Sequence, residues 1–232
     1  MLRRFREERG FGPEEKLTYA GRLDPMAEGV VPVLAGEGRF KKDMLLNRSK
    51  TYEVEIMLGV GTDTGDMLGL PRQNEVKAGS ATFDLAEIEK ALETLRQTVS
   101  LPYPNYSSRP VDGKPLFMHA RAGNKVVLPI KKVSIYGLEL LSIQEKPLNK
   151  LVADAMAIIE TVQGDFRQPE IMRQWSAFAE EADQGQKVQV VTIRTTVSSG
   201  TYMRALAEKL GLLLKIPALA YKIVRTEVQG MK

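Results

Sequence analysis

Three side chains in this 232-residue sequence stand where their type and local setting could do chemistry: Asp24, Tyr52 and Arg204. Asp24 precedes Pro25, whose ring pushes the residue before it toward extended backbone and so restricts where the carboxylate points. The same dipeptide is equally the pattern of a helix N-cap with proline at the first helical position. Arg204 falls in the first turn of a helix predicted to begin near Thr201, where a cation opposes the helix dipole at a cost of about 0.3–1 kcal/mol. A local rule broken without local gain is a mark of function, although an arginine bent back to solvent would also satisfy it. Tyr52 alternates with Val54 and Ile56 and, taken alone, reads as a core tyrosine with its hydroxyl at the rim.

The residue types that are missing narrow the chemistry. Cysteine is absent and histidine occurs once, at His119. Disulfides, thiol nucleophiles and zinc sites built from cysteine and histidine are thereby excluded. His119 lies in LFMHARAG and no GxSxG element exists to pair with it, so it reads as a helix-surface or groove histidine rather than a triad member. Any catalysis falls to carboxylates, tyrosines and cations. GVGTDTGD is glycine-rich like a phosphate loop, but its spacing does not fit and Asp66 follows Gly65 where a lysine is needed. Asp63 and Asp66 also miss the alternate-residue ligand spacing of a calcium loop. Residues 59–69 therefore read as a solvent-exposed hairpin loop, with no metal and no nucleotide.

Elements must hold these side chains in place. Residues 2–9 read as helix, followed by a loop rich in glycine and proline. VVPVLAGEG reads as a buried strand, and GRFKKDMLLN as a helix with Phe40, Met44 and Leu45 at helical spacing. YEVEIMLGV alternates, with Tyr52, Val54, Ile56 and Leu58 on one face. Residues 84–97 form a helix carrying Leu85, Ile88, Leu92 and Leu95, and residues 101–115, with four prolines, are irregular. KKVSIYGLELLSI and VQVVTIRTTVS read as strands, with helices at about 149–162 and 168–182 between them. GTYMRALAEKLGLLLKI is a helix and ALAYKIVRTEVQ a last strand. Strands and helices mix without a βαβ repeat, so the class is α+β around a mixed, largely antiparallel sheet flanked by helices. Length fits one large domain.

Hydrophobic residues make up 43% and charged residues 27%, the values of a globular protein. No apolar run approaches the roughly 20 residues needed to span a bilayer. MLRRFREERG has charge but no apolar segment, so it is not a signal peptide, and a cytoplasmic protein with no membrane partner is expected. Thirty-three basic residues against 29 acidic ones leave +4. The excess is small, but it clusters at Arg3, Arg4, Arg6 and Arg9, at Lys41, Lys42, Arg48 and Lys50, and from Arg109 to Lys132.

Five segments, in order, resemble the TruB family of tRNA pseudouridine synthases. GRLDPMAEGVVPVLAGE resembles its aspartate motif, KTYEVEIMLGVGTDTGDMLG its tyrosine strand and the loop after it, and PNYSSRPVDGKPLFMHARAG its RNA-gripping thumb. SSGTYMRALAEKLG resembles its arginine motif and PALAYKIVRTEV the strand that follows. The resemblance implies the pseudouridine synthase fold and isomerisation of a T-loop uridine without metal or cofactor. It makes Asp24 the nucleophile that lets uracil detach from ribose. Tyr52 becomes the ring that stacks on the everted base, and Arg204 the cation that holds Asp24 ionised and aimed. RNA contacts are implied at Tyr19, Arg22, Arg39, Lys41, Lys42, Tyr106, Arg109, Lys114 and Arg121. The partner is the T-arm of tRNA, and the family expectation is a monomer.

Several departures shape what to expect. Relatives usually begin with a strand and a Lys-Pro-x-G-x-T-S segment ahead of the first helix, within which Met1 already lies here, so an edge strand is expected to be missing. After Lys232 no room is expected for the C-terminal RNA-binding PUA domain of bacterial relatives. Tyr19 stands where many relatives carry a histidine that helps open the T-loop, and Val197 replaces a common cysteine. Residues 146–187 fill what is usually a short turn, and a helical insert is expected there. That insert either contacts RNA or protein through Arg167 and Arg173 or is a solvated appendage. The runner-up function is a catalytically weak RNA-binding protein or folding chaperone on the same scaffold. A hydrolase using Asp24 with water lacks a second carboxylate.

Overall fold

Apolar residues alternate along 52–58, and the resulting strand becomes the middle of a sheet covered on both faces. The computed structural model describes residues 2–72, 82–96, 98–183 and 185–231. The chain opens with helix α1 (Leu2–Arg9), strands β1 (Leu17–Tyr19), β2 (Glu28–Gly29) and β3 (Val33–Ala35), a 3-10 turn (Gly36–Lys41) and α2 (Lys42–Leu46). Then come β4 (Lys50–Leu58), α3 (Leu85–Leu95), β5 (Thr98–Pro102), β6 (Pro110–Val111), β7 (Lys114–Pro115) and α4 (Leu116–Arg121). The rest is β8 (Ile130–Pro147), α5 (Leu148–Thr161), α6 (Gln168–Glu181), β9 (Lys187–Val197), α7 (Met203–Leu214) and β10 (Ala218–Val228). Six strands form one sheet in the order β2-β10-β4-β9-β8-β5, and β1–β3 and β6–β7 are short separate pairs. Only β2 runs parallel to its neighbour in the six-stranded sheet.

Alternation sends successive side chains of β4 into two different cores. Val54 and Ile56 pack with Ile88, Leu92 and Leu95 of α3 and with Leu206 and Leu210 of α7. On the opposite face Met57 joins Val190 and Leu219, Leu151 and Ile159 of α5, and Ile171, Trp175 and Phe178 of α6. Each such side chain contributes roughly 1.5–3 kcal/mol when fully buried. Helix α3 starts where its sequence says it must: the Glu87 N–H donates to Asp84 Oδ1 (2.9 Å) and the Asp84 N–H to Glu87 Oε2 (3.0 Å), a reciprocal cap.

The periodic segments form the expected elements, and the exceptions have physical causes. VVPVLAGEG is not a buried strand: Pro32 cannot donate to a ladder, and only the half-buried β3 forms, paired with β1. GRFKKDMLLN is a 3-10 turn plus a five-residue helix. It leaves Phe40 82% and Met44 53% exposed and buries only Leu45. His119 is not on a surface, because the β6–β7 pair supplies an acceptor and its Nε2 lies 3.0 Å from the Val111 carbonyl. The loop from residue 59 to 69 is not solvent-exposed: Thr62, Thr64, Asp66, Met67 and Leu68 are buried. What covers it is α6, whose Trp175 is fully buried and donates its indole N–H to the carbonyls of Met67 (3.1 Å) and Gly69 (3.0 Å). The α5–α6 pair, set between the neighbouring strands β8 and β9, is thus part of the core and not an appendage. Met1, Gln97 and Gln184, which fall within predicted segments, lie outside the described residues. Among those described, no helix is long and apolar enough to cross a membrane.

Candidate functional site

Asp24 lies between β1 and β2 in a turn closed by the Ala27 N–H donating to its carbonyl (2.9 Å). No helix follows, so the carboxylate is free of capping. Arg225 of β10, 1% exposed, staples the ends of this segment. Its Nε donates to the Val30 carbonyl (2.7 Å) and its Nη2 to the Gly21 carbonyl (2.8 Å). The Val30 N–H returns a bond to the Arg225 carbonyl (2.8 Å). Gly29 makes the close approach possible. Its φ is +114°, and a β-carbon there would lie 2.1 Å from the Arg225 carbonyl oxygen.

Arg204, the second residue of α7, turns inward instead of out to solvent. Its Nε donates to Asp24 Oδ2 (2.9 Å) and its Nη2 to Asp24 Oδ1 (3.0 Å), a two-point fork that fixes the carboxylate plane. Nη1 bonds the Thr64 carbonyl (2.9 Å), and Nη2 also bonds that of Tyr106 (3.2 Å). A second carboxylate, Asp66, lies 3.5 Å from Nε. Burial opposes the guanidinium charge, but Asp24 and Asp66 outweigh it and hold the group above its ordinary value. The unfavourable position in the first turn is offset by these two anions. Asp66 is itself pushed up to about 6, chiefly by burial and further by Asp24, while Arg204 and the Thr64 hydroxyl pull the other way.

The loop that carries Asp66 is held by its own polar groups. Thr62 donates to the Asp66 carbonyl (2.7 Å), Thr64 to Asp66 Oδ1 (2.7 Å) and the Leu70 N–H to Asp63 Oδ1 (2.8 Å). Thr and Asp in TDTGD thus serve the backbone.

Two cavities meet at Asp24. The larger, about 600 Å³, is lined by Asp24, Arg204, Tyr106, Phe117, Arg121 and Tyr202 among others. The smaller, about 200 Å³, is lined by Asp24, Tyr52, Lys50, Tyr202, Ile223 and Arg225 among others. The larger volume suits one nucleotide-sized ligand. Burial raises the Tyr52 phenol above its usual value, with Arg225 opposing. Tyr202 is raised as well, by burial and then by Asp24.

The structure therefore gathers Asp24, Tyr52 and Arg204 with Arg22, Tyr106 and Arg121. The other predicted RNA contacts line neither cavity. Tyr19 is half-buried in β1, and Arg39 bonds the Gly36 carbonyl (2.8 Å) and lies over Phe40. Lys41 and Lys42 are exposed, Lys114 is exposed on β7, and Arg109 stacks on Tyr103 at 5.3 Å. Arg173 is exposed on α6, whereas Arg167 lines the larger cavity.

Sequence reasoning missed Tyr202, Asp66, Arg225 and Lys50. Lys50 is buried, donates to the carbonyls of Leu46 (2.7 Å) and Arg48 (2.6 Å), and is pushed down to about 8 by burial and then by Arg225 and Lys131. A signal for Arg225 was present, since its charge interrupts an alternating strand on the face that pairs with Tyr52. Asp66 gave no such signal, because the group that buries its loop lies more than a hundred residues away.

The chain is similar to known proteins. The family described as TruB family pseudouridylate synthase (N terminal domain) matches residues 9–165. The tRNA pseudouridine synthase B of Bacillus anthracis is 30% identical over 213 residues, covering 92% of this chain and 57% of that protein. That of Geobacillus thermodenitrificans (strain NG80-2) is 31% identical over 216 residues, 91% of this chain and 57% of that protein. The chain spans a little over half the length of these relatives. Among solved structures, a chain of a Cbf5-Nop10-Gar1 complex covers all of this chain and 45% of its own length, with a TM-score of 0.56 and 16% identity. A chain of an H/ACA RNP bound to a substrate RNA containing 2′-deoxyuridine gives 0.53 at 16%, covering 43% of its own length. Those two likenesses show the fold, and the family match runs through the aspartate turn, the tyrosine strand and the thumb. The chain belongs to the TruB family of pseudouridylate synthases.

Proposed function

We propose that this chain is a tRNA pseudouridine synthase, acting as a cytoplasmic monomer on a uridine of the T-loop (position 55). The observation that carries the reading is the Asp24–Arg204 fork at the meeting of two cavities. Asp24 is 30% exposed and its partner 4%. The carboxylate is thus paired with and aimed by a buried cation yet open to a ligand, which is what a nucleophile needs. In the reaction the carboxylate bonds to the nucleoside as N1–C1′ breaks. The base turns, C5 joins C1′, the C5 proton leaves, N1 takes up a proton, and the carboxylate departs. Tyr52 lines the smaller cavity, where it can stack on the everted base. The RNA is held outside by the thumb cations and by Arg22, Lys41 and Lys42.

The test is pseudouridine content of a T-arm stem-loop RNA after incubation with the protein and with Asp24→Asn, read chemically because the isomerisation leaves mass unchanged. Product from the wild type and none from the variant is expected. RNA binding without product from the wild type would instead support the chaperone reading.

A further inference from the structure

One wall of the larger cavity comes from the connection between α5 and α6, where Asp165, Phe166 and Arg167 face the same space as Asp24, Tyr106 and Arg121. This connection is built, not slack. The Gln168 carboxamide donates to the carbonyls of Val162 (2.9 Å) and Gly164 (2.7 Å) and accepts from the Phe166 N–H (2.8 Å). Arg121 of the thumb bonds Asp165 Oδ2 (3.2 Å) and also its carbonyl, tying the turn to α4. Arg167 adopts φ +64°, a left-handed conformation that a β-carbon disfavours and that recurs at ligand sites. Its guanidinium lies 4.5 Å from the centroid of the Tyr106 ring and 2.9 Å from Asp63 Oδ2.

These contacts decide what Arg167 can offer. Its charge is matched by Asp63, so it has little left for a phosphate. It presents instead a plane stacked on an aromatic ring, with a second ring, Phe166, in the adjacent position. Unstacked bases dock on aromatic rings and guanidinium planes. We propose that Arg167, with Phe166 beside it, is a specificity-determining residue: the α5–α6 turn forms a stacking wall on which the nucleotide next to the everted uridine docks. The proposal rests on the RNA-modifying reading of Asp24.

The test uses four T-arm stem-loops that differ only in the nucleotide 3′ to the target uridine. KM, kcat and Kd, the last at several salt concentrations, are measured for the wild type, Arg167→Ala and Arg167→Lys. Every base can stack and only the strength differs, so the wild type is expected to spread KM and Kd across the four RNAs by a few-fold, while Arg167→Ala weakens all four by about tenfold, the size of one stacking contact. Arg167→Ala should flatten that spread, with kcat falling less than KM rises and the salt slope of binding unchanged. Lysine keeps a charge for Asp63 but has no plane, so Arg167→Lys should match alanine. Arg167→Gly, which relieves the left-handed backbone, separates a lost contact from misfolding. It should lose the preference without a lower melting temperature.

An unchanged preference in Arg167→Ala, wild-type behaviour in Arg167→Lys, or a salt slope reduced by about one, the mark of a phosphate contact, would each overturn the wall. Preference in Kd without pseudouridine would leave the wall standing and remove the assigned reaction. No binding of any of the four RNAs by the wild type would remove both.

Discussion

Arg204 spends its donors on Asp24 twice and on the carbonyls of Thr64 and Tyr106, so its role is to fix a plane as well as to supply a charge. Lysine can reach one oxygen but cannot reproduce a fork. Arg204→Lys is therefore expected to lower kcat by about a hundredfold, the usual effect of a reacting group misplaced by about an ångström. RNA affinity should change little, because the side chain is buried. A comparable fall in affinity would show that Arg204 binds RNA and does not merely position Asp24. Asp66 offers a pH test. Its value of about 6 in the fold lies above the ordinary 3.8, so the folded state holds the proton more tightly than the unfolded chain. Its contribution to stability is therefore present near pH 4 and is lost as pH rises through 6. Asp66→Asn stays neutral and keeps an acceptor for the Leu68 N–H, which now lies 3.0 Å from Oδ1. The variant should match the wild type at pH 4, gain on it up to pH 6, and hold a plateau of up to about 3 kcal/mol above that. Denaturant midpoints from pH 4 to 8 measure this. A variant that loses stability at pH 8 would mean the attraction to Arg204 exceeds the cost of burial.

Between the residue and the whole molecule stands the 62–70 loop, which Trp175 of α6 holds through two carbonyls. Trp175→Phe keeps an aromatic ring in the second core but leaves the Met67 and Gly69 carbonyls without their donor, a loss of about 1–3 kcal/mol. Because Asp66 and the Thr64 carbonyl both touch Arg204, turnover should fall along with stability. Lower stability with turnover intact would show that the loop moves without disturbing Arg204. The same loop marks the limit of what could be read beforehand. Strand β4 and helices α3, α5, α6 and α7 were legible because each writes its buried face as a local period. Asp24, Tyr52 and Arg204 were legible as a group only through the family resemblance. The burial of Asp66 was not legible, since it depends on a tryptophan with no local connection to it. The exposure of Phe40 and Met44 was not legible either, because helical spacing says that a face is apolar and not that anything packs against it.

At the scale of the molecule, one sheet serves two cores, and the partition is by alternate residues of the same strands. Ile56 and Met57 of β4, Val191 and Val190 of β9, and Ala218 and Leu219 of β10 each divide between the α3–α7 side and the α5–α6 side. Removing either helical layer would expose one face of strands that the other layer needs in register. The α5–α6 pair should therefore melt with the rest of the molecule and not before it. Trp175 makes this measurable. It is the sole tryptophan, fully buried in the second core, and so its fluorescence reports on the α5–α6 side alone. Far-ultraviolet circular dichroism reports on the whole chain. The two transitions in denaturant are expected to share one midpoint and one slope, as a cooperative unit requires. A tryptophan transition at lower denaturant would mean that α5 and α6 unfold on their own. The proposed stacking wall beside Asp24 would then be assembled and lost independently of the Asp24–Arg204 fork it adjoins.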